Sequence, residues 1–331
     1  MKRKILIAID EFAKNSNYCL DMINGRDLKI IWHKSGESLD LNKYKHSYED
    51  IDYIIAGLEK YNSEFFEINK NIKAISRVGV GVDNIDLLAA QKSSTKIFIT
   101  TDKPSVAVAE LCVSNMIALL RGTFLMNKEL KNGNWKVIQG RDIRNCTVGI
   151  IGVGSIGKQV AKRLANFEPK IIGYARTWDN EFANKYNIKR YQAIEDIIKM
   201  SDILTVHLPL EDSTRGLINA KLIKLMKKDA VILNTSRAGV FDNNALADSL
   251  KKNHLLGAAI DVFDEDRNIA PYDEIENVIL TPHVGSHTSG TRIAMEESAM
   301  SNILAYDSLL NPRANEEISC LLSVIEKNSI I

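Results

Sequence analysis

Short runs of Ile, Val and Leu recur along this 331-residue chain, separated by longer stretches whose apolar positions repeat at helical spacing. The runs fall at 5–9, 53–56, 73–76, 148–151, 171–174, 203–207, 230–234, 258–260 and 278–281. They are apolar nearly throughout rather than alternating, the pattern of strands covered on both faces. Strands of that kind with helices between them predict parallel sheets and the α/β class. The segment Ser105 to Leu120 carries Val106, Ala109, Cys112, Val113, Met116, Ile117, Leu119 and Leu120, so that helix is apolar around more than one face. A second long helical pattern runs from Thr291 to Leu310 and stops at Asn311-Pro312, because proline disfavours helix in the residue before it. Together the two helices bracket an inserted domain, which predicts 102–285 set inside a discontinuous domain made of 1–101 and 286–331.

Composition narrows the function. Lys plus Arg total 43 against 42 for Asp plus Glu, a net charge of +1 that leaves no electrostatic footprint for nucleic acid. The first apolar run follows Met1-Lys2-Arg3-Lys4 and ends before Asp10, too short for a secretory segment or a membrane span. Cys19, Cys112, Cys146 and Cys320 are scattered, with no paired spacing and no His at metal-ligand distance. The expectation is a cytoplasmic chain with reduced thiols, no bound metal and no membrane partner.

The strongest local signal is Gly152-Val153-Gly154-Ser155-Ile156-Gly157, which follows the 148–151 run and opens a helical stretch. In a dinucleotide-binding turn the first glycine makes the bend and the second admits a pyrophosphate to the backbone. The third lets helix and strand pack closely, with Ser155 and Ile156 opening the helix whose N-terminus faces the phosphates. The next strand carries no carboxylate at its end: it reads Tyr174-Ala175-Arg176-Thr177. A carboxylate there would bond the ribose hydroxyls of NAD, whereas an arginine fork and a hydroxyl suit a 2′-phosphate. NADP is therefore the favoured cofactor. The other reading leaves Arg176 in solvent, with Asp179 serving the ribose of NAD.

Further motifs follow in order: Arg77 to Asp86, Pro104 to Leu111, Gly133-Asn134-Trp135, His207-Leu208-Pro209-Leu210, Asn234 to Gly239, Asp261-Val262-Phe263 and Thr281-Pro282-His283-Val284-Gly285. With the glycine turn, this series resembles the D-2-hydroxyacid dehydrogenase family over nearly the whole chain, and most closely its short phosphoglycerate-dehydrogenase-like members. The resemblance implies two Rossmann-like domains with doubly wound sheets, the cofactor domain inserted into the substrate domain, and a homodimer contact through Trp135 and the Ser105 to Leu120 helix. It implies that Arg237 binds the carboxylate and keto oxygen of a small 2-oxo or 2-hydroxy acid, and that His283 passes the proton. Val78, Gly79 and Val80 would present backbone amides to the substrate as an anion nest. His207 and Pro209 would lie against the cofactor, Thr235, Ser236, His283 and Gly285 near its nicotinamide, and Asp261 on the carboxamide. For His207 a buried structural role is the alternative.

Departures from the family pattern qualify this. The acid that pairs with the histidine normally precedes a proline; here the stretch is Asp264-Glu265-Asp266-Arg267, which points to Asp266, with Glu265 as the alternative. Phe167-Glu168-Pro169 must turn without glycine, and Glu59 stands where phosphate-binding relatives place basic residues. The chain ends soon after Pro312, so no serine-binding regulatory domain is expected. The reading is a 2-oxoacid reductase for hydroxypyruvate, glyoxylate or a 3-phosphoglycerate-type substrate. Its rival is a cofactor-sensing, corepressor-like interaction protein of the same fold.

Overall fold

The apolar runs are strands because each can be buried on both sides. In the computed structural model, which describes residues 2–9, 11–33, 50–101, 103–264, 268–311 and 318–331, they form two parallel sheets. The first holds β1 (Arg3–Ile7), β2 (Leu28–Trp32), β3 (Tyr53–Ala56), β4 (Ala74–Arg77) and β5 (Lys96–Phe98) in the order β2-β1-β3-β4-β5. Central β3 is buried at all its positions, with Ile5, Leu6 and Ile7 of β1 beside it.

The chain divides into two compact units, Met1–Pro104 with Thr288–Ile331, and Ser105–His287. In the first, the Ser289–Leu310 helix returns to the sheet of β1 to β5. Met295, Ala299, Met300 and Ile303 complete a core with Ile5, Ile7 and Phe98. Asp307 anchors that return: its carboxylate accepts from Arg3 Nη2 at 3.1 Å and from Tyr53 Oη at 2.8 Å. A buried carboxylate needs such partners, and these two fix the helix against β1 and β3.

The second unit contains β6 (Thr147–Ile151), β7 (Lys170–Tyr174), β8 (Ile188–Arg190), β9 (Ile203–Val206), β10 (Val231–Asn234), β11 (Gly257–Ile260) and β12 (Val278–Leu280). Their order is β12-β11-β10-β9-β6-β7-β8, all parallel. Chain order runs outward from β6 to β8, then jumps to β9 on the other side of β6 and runs outward again. The carboxyl edge beside β6 is thus a topological switch point, where doubly wound sheets leave a crevice. Apolar cores cover both faces: the Ser105–Arg121 and Ser155–Leu164 helices on one, the Asn243–Lys251 helix on the other. The turn without glycine is made by Glu168 at φ 58°, a left-handed conformation costing about 1 kcal/mol. Its carboxylate accepts from Arg144 at 2.8 Å. No single described helix is long and apolar enough to cross a membrane.

Candidate active site

The glycine turn shows its reasons in space. Gly152 has φ 96°, and a Cβ there would stand 2.4 Å from the carbonyl oxygen of His207. A Cβ on Gly157 would stand 2.2 Å from the carbonyl oxygen of Gly152, so the Ser155–Leu164 helix seats on the turn only without a side chain. Gly154 meets no atom within 4 Å of its missing Cβ and caps that helix in an extended conformation. Backbone closely packed on two sides and open on the third, with helix amides behind it, fits a dinucleotide pyrophosphate. Gly152 also donates its amide to Tyr174 O at 2.8 Å, which ties the turn to β7. Ile156, partly buried, packs into the core beneath.

Beyond β7, Arg176 is exposed and grips Glu211 through Nη1 to Oε2 at 3.0 Å and Nη2 to Oε1 at 3.3 Å. Thr177 beside it is exposed. Asp179, the alternative ribose partner, is engaged elsewhere: it accepts from Phe182 N at 3.0 Å, capping a helix, and from Lys158 at 2.6 Å. Lys158, foremost, holds its carboxyl below the usual range.

After β9, His207 Nε2 lies 3.0 Å from Thr205 Oγ1, and Pro209 O accepts the Thr214 hydroxyl at 2.6 Å. Burial pushes the His207 imidazole down to about 3. The ring is therefore neutral across the physiological range and cannot alternate as acid and base. A folded-state value depressed below the unfolded one makes a contribution to stability that is present above about pH 6.5 and lost as pH falls toward 3. Unfolding free energy is expected to fall between pH 6.5 and 5, by up to about 1.4 kcal/mol per pH unit from this group. His207→Gln should flatten that slope in urea titrations; an unchanged slope would assign the loss to other groups.

Beyond β10 the turn 234–237 is held by fully buried Asn234. Its Oδ1 accepts from Ser236 N at 3.0 Å and Ser236 Oγ at 2.8 Å, and its Nδ2 donates to Arg237 O at 3.0 Å. The side chain of Thr235 turns inward, with Oγ1 3.2 Å from buried Cys112 Sγ. Both hydroxyls expected near a nicotinamide thus bond within the protein. Arg237 is half-buried, with Nη1 donating to Ser236 O at 2.8 Å.

At the end of β11, Asp261 is 2% exposed and accepts three hydrogen bonds from the loop after β12. Thr281 Oγ1 comes at 2.6 Å, Val284 N at 2.9 Å and Gly285 N at 2.9 Å. A Cβ on Gly285 would come within 3.0 Å of Oδ2. These bonds leave His283 exposed at the loop's crest with φ 55°, a conformation uncommon outside glycine and kept only where surroundings over-determine it. The resemblance implies that Asp261 lies on the cofactor; its hydrogen bonds tie the end of β11 to the loop that carries His283. Asn234 and Asp261 both lie within the motifs, which did not show that each holds its loop in place; a buried polar residue at a strand's carboxyl end was the available signal. Asp266 and Glu265 lie outside the described residues.

In the first unit, Val78 donates its amide to Ala56 O at 2.9 Å, and Gly79 donates to Thr100 Oγ1 at 2.8 Å. These two amides are therefore not free for an anion, contrary to expectation. Val80 N and Gly81 N make no hydrogen bond among the described residues and are the donors this loop retains. Gly79 is required there: it has φ 149°, and Arg77 Nη1 fills the place of a Cβ, 1.3 Å away. Nearby, the amide of Gly57 donates to Glu59 Oε2 at 2.8 Å. Burial raises the Glu59 carboxyl above its usual range, with His33 and Arg77 opposing.

Comparison with known proteins identifies the family. The family model for the D-isomer specific 2-hydroxyacid dehydrogenase, NAD binding domain, matches residues 113–285. A glyoxylate reductase of Pyrococcus horikoshii is 33% identical over 273 residues, 78% of this chain and 80% of that protein. A hydroxypyruvate reductase of Thermotoga maritima is 32% identical, over 81% of this chain and 87% of its own. The crystal structure of TT0316 protein from Thermus thermophilus superposes with a TM-score of 0.84 at 28% identity, covering 99% of this chain and 100% of that one. With the glycine turn, an arginine after β10 and a histidine after β12 in one sheet, the chain belongs to the D-2-hydroxyacid dehydrogenase family and is an NAD(P)-dependent oxidoreductase of 2-hydroxy acids.

Proposed function

We propose that this enzyme reduces a small, unphosphorylated 2-oxo acid of the glyoxylate or hydroxypyruvate type to the D-2-hydroxy acid. The observation that carries the reading is the shared carboxyl edge of β10, β11 and β12, which brings forward Arg237, Asp261 and His283 in turn. Neighbouring strands lie about 4.8 Å apart, so Arg237 and His283 spring from strand ends about 10 Å apart, within reach of one small acid. The glycine turn would hold the pyrophosphate of a dinucleotide whose nicotinamide would supply hydride to C2. Arg237 grips the carboxylate and polarises the keto oxygen, and His283 gives its proton to that oxygen as negative charge develops. Asp266 pairs with His283 and keeps it protonated. Arg176 and Thr177 receive a ribose 2′-phosphate, which makes NADP the preferred cofactor.

Glu59 supports the unphosphorylated substrate. It is an acid where phosphate-binding relatives place basic residues, so that position offers a phosphate ester no cation. The test is oxidation of NADPH or NADH with glyoxylate, hydroxypyruvate, pyruvate and 3-phosphohydroxypyruvate. Turnover of the first two above the phosphorylated acid is expected. Silence across the panel together with tight cofactor binding would overturn the reading in favour of a cofactor sensor.

The protein is read as a cytoplasmic homodimer. Burial raises the thiols of Cys19 and Cys112 to about 11 and 12, so they are inert in a reducing compartment. Leu130, Trp135 and Val137 are 57%, 86% and 79% exposed within eight residues, an apolar strip that a second copy would cover. Trp135→Glu is expected to convert a sedimenting dimer to monomer; a wild-type monomer at micromolar concentration would contradict the assignment.

A further inference from the structure

We propose that Glu211 sets cofactor choice by competing with a ribose 2′-phosphate for the guanidinium of Arg176. The inference rests on the reading of the second unit as a dinucleotide site and adds a residue to it. Strands β7 and β9 pair with β6 on opposite sides. Arg176 stands two residues past the end of β7 and Glu211 five past the end of β9, so their two-point contact spans the carboxyl end of β6. The Gly152–Gly154 turn, which follows β6, lies between the same two strand ends, bonded to Tyr174 O and packed against His207 O. The pair thus crosses the switch point itself, where ligands of doubly wound sheets bind.

Glu211 is not a loosely held surface acid. Its amide donates to Thr214 Oγ1 at 2.8 Å, and its carbonyl accepts the amides of Thr214 and Arg215 at 3.0 and 2.9 Å. Thr214, 8% exposed, is fixed in turn by its bond to Pro209 O. The backbone that carries the carboxylate therefore occupies a defined place, and the two-point contact orients Arg176 toward it. A guanidinium fork that holds a carboxylate at two points has the same N–H groups to offer a phosphate. A 2′-phosphate must displace Glu211 from that fork, which a 2′-hydroxyl need not do. Arginine after β7 favours the phosphorylated cofactor, and Glu211 limits that preference.

The proposal is tested by calorimetric titration with ADP-ribose and 2′-phospho-ADP-ribose, fragments that bind without turnover. Glu211→Gln is expected to tighten 2′-phospho-ADP-ribose about three- to tenfold at low salt and to leave ADP-ribose within about twofold. The gain should shrink at physiological ionic strength, since the pair is exposed and screened. It should vanish in the Arg176→Ala background, which separates competition for the fork from plain charge repulsion. An unchanged affinity ratio in Glu211→Gln, or a gain that persists without Arg176, overturns the role of Glu211 while leaving the site intact. Failure of the wild-type protein to bind either fragment overturns the dinucleotide reading, and this inference with it.

Discussion

Alanine at position 283 is expected to slow reduction of the 2-oxo acid about 10²- to 10⁴-fold while dinucleotide still binds. Hydride arriving at C2 leaves the oxygen needing a proton, and the group that gives it must change protonation state near neutral pH. His207 cannot, because burial holds its ring neutral down to about pH 3. His283 stands exposed at the carboxyl edge of the sheet, and three hydrogen bonds to Asp261 keep its loop in place despite φ 55°. Wild-type reduction should fall as pH rises through the titration of this acid, and the alanine variant should lose that limb. Asp266→Asn should shift the limb to lower pH, because a carboxylate beside an imidazole favours its charged form. Steady-state rates across pH on a confirmed substrate decide the matter. Unchanged turnover in His283→Ala would remove the histidine from the mechanism, and an unmoved limb in Asp266→Asn would transfer the pairing role to Glu265.

The parts of this molecule that were legible in its sequence share a physical cause. Strands such as β3, β6, β9 and β10 are covered on both faces, so their runs must be apolar and announce themselves. Three strands escaped the pattern: β2, β5 and β8. Each is a sheet edge, with a single ladder partner and less to bury. Lys29, Lys96, and Lys189 with Arg190 break their apolar runs. The glycine turn was legible because backbone approach at 2.2–2.4 Å excludes every side chain, a constraint written in residue type. Partnerships across the chain leave no such trace. That Glu211 would meet Arg176, that Thr100 would claim the Gly79 amide and that Thr235 would turn to Cys112 depend on strand order, which places residues far apart in sequence side by side.

Asparagine in place of Asp261 is expected to damage both fold and rate, because that one carboxylate supports the whole loop bearing His283. The substitution keeps the volume but presents an amide nitrogen where Oδ2 accepted the Gly285 amide at 2.9 Å. Two donors would then face each other in a site 2% exposed, and the bonds from Thr281 and Val284 would lose their charge assistance. The loss is about 2–4 kcal/mol, which lowers Tm by roughly 5–15 °C for a domain of this size. Released from its anchor, the loop no longer needs His283 in the left-handed region, and a displacement of about 1 Å is enough to cost about 10²-fold in turnover. Calorimetry should therefore show a lower Tm, and kinetics a fall in kcat exceeding any rise in KM for the dinucleotide. If the resemblance is right that this carboxylate chiefly holds the nicotinamide carboxamide, the order reverses. Cofactor KM would then rise steeply while Tm stayed near wild type, and the positioning role would belong to the loop's own backbone.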